Sequence, residues 1–263
     1  MLRFFPFAKK PPLVAVIRLA GVIGSGGRGL NDAGMAPLIE RAFRKGKPAA
    51  VALVINSPGG APVQTALIAA RIRRLADDKS LPVHAFVEDV AASGGYWLAT
   101  AADHIWLDDS SVVGSIGVIS AGFGFQQLIE RHGIERRVHT AGGSKSFLDP
   151  FKPEKPVDVA RLTALLDPIH QAFITQVKAR RGERLAKADL FTGEIWVGAQ
   201  AVGVGLADGL CHLAPKMREI FGAKVRFSQH EARRSLLQRL GIGAAFDLLA
   251  QAEDRALWAR YGL

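Results

Sequence analysis

Cysteine is almost absent from this chain: Cys211 stands alone, which excludes an intrachain disulfide and fits a reducing compartment. Metal-ligand spacings are missing too. With no His-Glu-x-x-His and no paired cysteines, neither a metal nor any other cofactor is expected. No uninterrupted apolar run approaches the ~20 residues a spanning helix needs. Leu13 to Ile23 is shorter, contains Arg18 and reads as a β-strand. Met1 to Lys10 (MLRFFPFAKK) has no apolar core leading to a cleavage site, so it does not read as a secretory signal. The expectation is a cytoplasmic protein whose residues 1–12 are either unstructured or in peripheral contact with the inner membrane.

Acidic residues are outnumbered, 24 against 34 Lys and Arg, for a formal charge of +10. A nucleic-acid surface would gather such cations and interleave aromatic rings for base stacking. Here the pairs Arg73-Arg74, Arg136-Arg137, Arg180-Arg181 and Arg233-Arg234 are scattered without aromatic platforms. The excess reads as solvated surface, and no nucleic-acid partner is expected.

What the chain does contain is a repeated local pattern of apolar strand, glycine turn and helix. Val51 to Ile55 (VALVI) has the length and β-branched content of a strand buried on both faces. It ends at Asn56-Ser57-Pro58-Gly59-Gly60, and a helix follows from Ala61 to about Ala76, with Val63, Leu67, Ile68, Ile72 and Leu75 as its expected buried face. A turn at the carboxyl end of such a strand leaves backbone N–H groups in the crevice where α/β sheets bind ligands.

The second unit is the more informative one. Pro82 to Glu88 reads as a strand, Ala91-Ala92-Ser93-Gly94-Gly95-Tyr96 as the turn, and Tyr96 to Ala102 as a short buried helix. Ser93 then lies near a helix start, where free N–H groups and the positive end of the helix dipole favour an oxyanion. Gly94 and Gly95 let a substrate approach the backbone closely. The plain alternative is an N-cap serine with no chemistry.

The alternation continues through a helix at Met35 to Arg44, strands at Ile105 to Leu107, Ser115 to Ile119 and Arg136 to His139, and helices at Phe123 to His132 and Val157 to Arg181, the last with a kink expected at Pro168. Gly24 to Gly29 lacks the Gly-Lys-Ser/Thr ending of a phosphate-binding loop. Phe191 to Gly209 is Gly-rich and could wrap the core. One α/β domain over residues 13–230 follows, with an amphipathic helix in 231–263 that packs on the domain or on a partner subunit.

A serine nucleophile needs a base. His104 is expected to end the helix that Ser93 begins and to point away, and no motif marks His132 or His139. Lysine remains. Lys145 stands in Ala141 to Phe151 (AGGSKSFLDPF), where Phe147, Leu148 and Phe151 offer apolar surface to desolvate an ammonium; a solvated surface lysine is the alternative.

Four stretches in this order, Asn56-Ser57-Pro58-Gly59-Gly60, Ala91 to Tyr96, Gly114-Ser115-Ile116-Gly117-Val118 and Gly142-Gly143-Ser144-Lys145 through Pro150, resemble the signal peptide peptidase A and SohB family of Ser/Lys proteases, over about Val14 to Asp208. The resemblance implies an α/β Clp protease/crotonase-like fold, a spiral of ββα units with flanking helices. It also implies Ser93 as nucleophile, Lys145 as general base, Ser115 as the hydroxyl that orients it, and the N–H groups of Gly60 and Gly94 as oxyanion hole. It further implies a homo-oligomeric ring in which adjacent protomers share each site, acting on signal-peptide remnants or other unfolded peptides. One departure stands out: where the family has a Gly-Arg-Val-aromatic-Thr/Ser-Gly run, this chain has Gly193-Glu194-Ile195-Trp196-Val197-Gly198. Two other classes stay open, a crotonase-like acyl-CoA enzyme and a non-catalytic scaffold.

Overall fold

The computed structural model describes residues 10–24, 29–143, 145–231 and 255–262. The chain runs β1 (Leu13–Ala20), α1 (Asp32–Arg44), β2 (Ala50–Ser57), α2 (Pro62–Lys79), β3 (Val83–Ala92), α3 (Gly94–Ala99), β4 (His104–Leu107), β5 (Val112–Gly114), α4 (Gln126–Arg131), α5 (Pro156–Arg181), β6 (Ile195–Val197), α6 (Gly198–Gly203), β7 (Gly209–Leu210), α7 (Leu213–Phe221) and β8 (Arg226–His230). Most of these strands are neighbours in one sheet, ordered β6-β5-β3-β2-β1-β8. Every pairing is parallel except β5 with β6. Parallel strands joined through helices are covered on both faces, which is why β1 (LVAVIRLA) and β2 (AVALVINS) read as nearly continuous apolar runs.

Strand β3 is where the sheet divides. Its first half pairs with β4 through His84, Ala85 and Phe86, and its second half with β5 through Val90, Ala91 and Ala92. The cause is an irregularity against β2: Val87 lies opposite Ile55, but the next pair is Ala91 with Ser57, so β3 takes two more residues than its partner over this interval. Arg18 holds the bulged strand with two 2.7 Å hydrogen bonds to Glu88, and the Asn56 amide donates to Asp89.

Several expectations change here. The buried face of α2 is Thr65, Ile68, Ala69, Ile72 and Ala76, while Val63 and Leu67 are 67% and 46% exposed. Small residues turn inward and let the helix lie close to α3 and the sheet. The strand expected at Ser115 to Ile119 is instead β5, which ends at Gly114; positive φ at Gly114 (106°) and Ser115 (51°) turns the chain out of the sheet. Arg136 to His139 forms no strand, α4 covers only part of Phe123 to His132, and α5 is helical through Pro168. His104 begins β4, and its ring stacks on His84 at 5.3 Å. The proposed helix in 231–263 lies largely outside the described residues; 255–259 are helical.

Beneath α3, Tyr96 is fully buried and donates its hydroxyl to the Leu206 carbonyl at 2.8 Å. Burial raises the Tyr96 pKa. The same 205–208 segment is tied to α5 by Arg181, which donates to Gly205 O and to Asp208, both at 2.8 Å. Burial opposes ionisation of Asp208, but the Arg181 hydrogen bond, the Ile105 N–H and nearby Arg184 outweigh it and hold the carboxyl below its ordinary range.

Candidate active site

At the end of β3 the chain reverses through Ser93, whose φ of 51° and ψ of −123° lie in territory that costs a non-glycine residue about 1–3 kcal/mol. The Ser93 N–H is spent on Gly114 O at 2.8 Å, and its carbonyl accepts from Trp97 N–H as α3 begins. Its side chain makes no capping bond to the helix, so the simple N-cap role does not account for it.

Two glycine turns press backbone against backbone around this serine. A Cβ on Gly95 would stand 2.3 Å from Ser57 O, and one on Gly59 would stand 2.8 Å from Ser93 Cβ. The Asn56 to Gly60 turn and the Ala91 to Tyr96 turn therefore form a single structure. The Ile23 N–H bonds to Gly59 O and the Ala61 N–H to Ile23 O, both at 2.8 Å. The Gly59 carbonyl points at Ile23, and the trans peptide turns the Gly60 N–H the opposite way. Gly94 opens α3, and its N–H is one of the donors a helix start leaves without an intrahelical partner. A Cβ at Gly94 would lie 3.4 Å from Gly60 N, and one at Gly59 would lie 2.9 Å from Gly94 N, so the two turns meet closely at these amides.

Both turns face a cavity of about 550 Å³ that also takes in Ser115, with apolar walls that include Trp97, Ile169 and Phe173. Trp97 and Phe173 are stacked 5.0 Å apart. Ser93, Ser115, Gly60 and Gly94 are thus brought together. Lys145 is not: it lies exposed on its loop, outside the described lining, with its N–H bonded to Gly142 O. Phe151, expected to desolvate the lysine, instead meets Phe125 in a tilted ring contact at 5.6 Å and is covered by Arg136 at 4.7 Å, while Asp149 pairs with that arginine.

Ser115 is held by the stretch that departs from the family pattern. Its N–H donates to Glu194 O at 2.6 Å, and a Cβ on Gly114 would meet Trp196 at 2.7 Å. Two contacts went unnoticed in the sequence. His170 Nε2 lies 3.1 Å from Ile116 O and must donate there, which spends that nitrogen on the backbone. From the far end of the chain, the Tyr261 hydroxyl lies 3.4 Å from Ser115 Oγ. No histidine or carboxylate lines the cavity among the described residues, nor do any of them form a group of three or more metal-ligand side chains.

Comparison with known proteins bears on the fold and the family. Residues 76–219 match Peptidase family S49. A Brucella melitensis protein named Na(+)/H(+) antiporter NhaA is 47% identical across 95% of this chain, which spans only 37% of that protein's length. Among the described residues no helix is long and apolar enough to cross a membrane. A Synechocystis sp. protein bearing a protease name is 30% identical over 75% of this chain and 69% of its own length. Among solved structures, a mutant of the 1510-N membrane-bound stomatin-specific protease with a bound substrate peptide superposes with a TM-score of 0.55, at 15% identity, over 91% of this chain and 100% of that one. That likeness identifies the fold as the α/β Clp protease/crotonase-like one. The family match spans more than half of the sequence and relatives include proteins named SppA and SohB, so the chain belongs to peptidase family S49.

Proposed function

We propose that the chain is a serine endopeptidase in which Ser93 is the nucleophile and Lys145, supplied by an adjacent protomer, is the general base. The observation that carries this reading is a strained Ser93, free of capping bonds, lining one cavity with the closely packed backbones of Gly60 and Gly94. In the reaction, Ser93 Oγ attacks the scissile carbonyl and its proton passes to Lys145 Nζ. The carbonyl oxygen becomes an oxyanion between Gly60 and Gly94, each donor contributing about 2.7–4 kcal/mol in the transition state. The C–N bond then breaks as the lysine returns the proton to the leaving amine. Water, deprotonated by the same lysine, releases the acyl group from Ser93. Ser115 orients the ammonium.

The sharing of the site between protomers is supported by the excursion between β5 and α5. Ile119, Phe123, Leu128 and Ile134 are all more than half exposed along it, an apolar surface that a second copy would cover, and Lys145 follows on the same excursion. Residues 13–230 are the catalytic body in this reading, and the substrate is an unfolded peptide or peptide remnant with apolar side chains suited to Trp97 and Phe173.

Mixing tests the arrangement. Ser93→Ala chains co-refolded with equal Lys145→Ala chains regain an intact serine beside an intact lysine at about a quarter of sites if assembly is random and head-to-tail. Mixed oligomers confirmed by mass that stay inactive would refute the shared site. A fluorophosphonate that labels the parent but not Ser93→Ala supports the nucleophile, whereas labelling that persists in Ser93→Ala would assign it elsewhere.

A further inference from the structure

The cavity has one wall from the far end of the chain. Leu257 and Arg260 both line it, and Tyr261 reaches Ser115, so residues 255–262 lie along the cleft rather than away from it. Arg260 is the only charged side chain among the described lining residues; the rest are apolar groups, glycines and hydroxyls. Among the described residues it has no ion-pair partner, and the residue is exposed to solvent. A guanidinium is always charged and presents a planar fork matched to a carboxylate.

We propose that Arg260 is a specificity-determining residue that makes the cleft prefer peptides presenting a carboxylate beside an apolar side chain held against Trp97 and Phe173. The proposal rests on the peptidase reading of this cavity and adds to it the charge of the substrate. The carboxylate has two sources, an Asp or Glu side chain or the free end of a short peptide, and the chemistry of recognition is the same for both. Exposed ion pairs are individually modest, so the preference is of the order of two- to fivefold in kcat/KM. It falls with added salt, because the pair is reached by solvent.

Four peptides sharing one apolar core test it on the full chain: amide-capped and neutral, amide-capped with one Glu, neutral with a free carboxylate, and amide-capped with one Lys. The expected result is faster cleavage of the Glu peptide, the free-carboxylate peptide or both, relative to the neutral one. Glu alone assigns a side-chain subsite, and the free end alone assigns recognition of a chain terminus. Arg260→Gln should bring the ratios to one, and Arg260→Glu should invert them in favour of Lys. Equal rates for all four in the parent chain overturn the inference, as does a preference that survives Arg260→Gln. These outcomes leave the peptidase reading standing. If the parent cleaves none of the four and fluorophosphonate leaves Ser93 unlabelled, that reading falls and the inference falls with it.

Discussion

Gly60→Ala tests the proposed oxyanion hole separately from folding. The added Cβ would lie 1.9 Å from Ile23 O, against an ordinary carbon–oxygen contact of about 3.3 Å, so the turn must retreat by about 1.4 Å. The native φ of 140° adds backbone strain for any L side chain. Together these cost about 1–3 kcal/mol of stability, which urea unfolding will read. The catalytic loss is larger. A donor displaced by about 1 Å no longer meets the oxyanion, and losing one such donor lowers kcat by about 10²–10³. KM should change little, because the bond forms fully only in the transition state. Hydrolysis of a fluorogenic peptide by the folded variant, beside Gly203→Ala as a control, is the assay. Nothing lies within 4 Å of a Cβ at the exposed Gly203, so that substitution should be silent. A folded Gly60→Ala enzyme within about threefold of the parent would remove Gly60 from the oxyanion hole.

In the proposed mechanism the Ser115 hydroxyl only orients the base, so Ser115→Ala should lower kcat by about 10–100-fold without abolishing it, and full activity would remove it from the site. Asp208→Ala leaves Arg181 buried and stripped of its carboxylate, so the midpoint of urea unfolding should fall by the equivalent of about 3–5 kcal/mol; an unchanged midpoint would contradict the role given to that pair. His84 gives stability a pH dependence. Burial, then repulsion from His104, lowers its pKa from 6.5 to about 4, and its Nδ1 stands 3.4 Å from Trp106 Nε1 as an acceptor that protonation would remove. Because the folded value lies below the unfolded one, this contribution is intact above pH 6.5 and is lost as pH falls toward 4, amounting to about 3 kcal/mol. Urea titrations across that window should show His84→Gln losing less stability than the parent, and parallel curves would count against it.

The strands at Val51 to Ile55 and Ile105 to Leu107 were legible because parallel strands covered on both faces leave apolar runs that little else imitates. Helix α2 was legible as a helix but not in its orientation. Periodicity marks an apolar arc, and Val63 and Leu67 extend that arc onto the surface while Thr65 and Ala69 carry the close contact. Ser93 and Gly94 were legible from their turn, because close backbone approach demands glycine and leaves it visible, whereas Ser115 and the pairing of Gly60 with Gly94 came only through the family resemblance. What could not be read were contacts between distant segments. Tyr261 on Ser115 spans 146 residues, and His170 on Ile116 spans 54, and neither partner carries a local motif. The apolar residues after Lys145 were read as a shield for the ammonium, yet Phe151 had nearer partners in Phe125 and Arg136.

The irregularity between β2 and β3 decides how much edge β3 offers on its other side. Val87 to Ala91 covers the interval that Ile55 to Ser57 covers on the neighbouring strand, so two residues of β3 are taken up in the bulge while Ala91 still meets Ser57. Removing Glu88 and Asp89 would let the ladder run on without interruption, with Ser93 in unchanged register against the Asn56 to Gly60 turn. Since side chains alternate with a period of two, the inward-facing set of β3 would also keep its face. The loss would fall on the opposite edge, where β4 pairs as far as Phe86 and β5 pairs from Val90: the two stretches would be brought closer by about 6–7 Å of strand and would compete for the same length of β3. The bulge therefore serves the strand that leads to Ser115 more than the one that ends at Ser93.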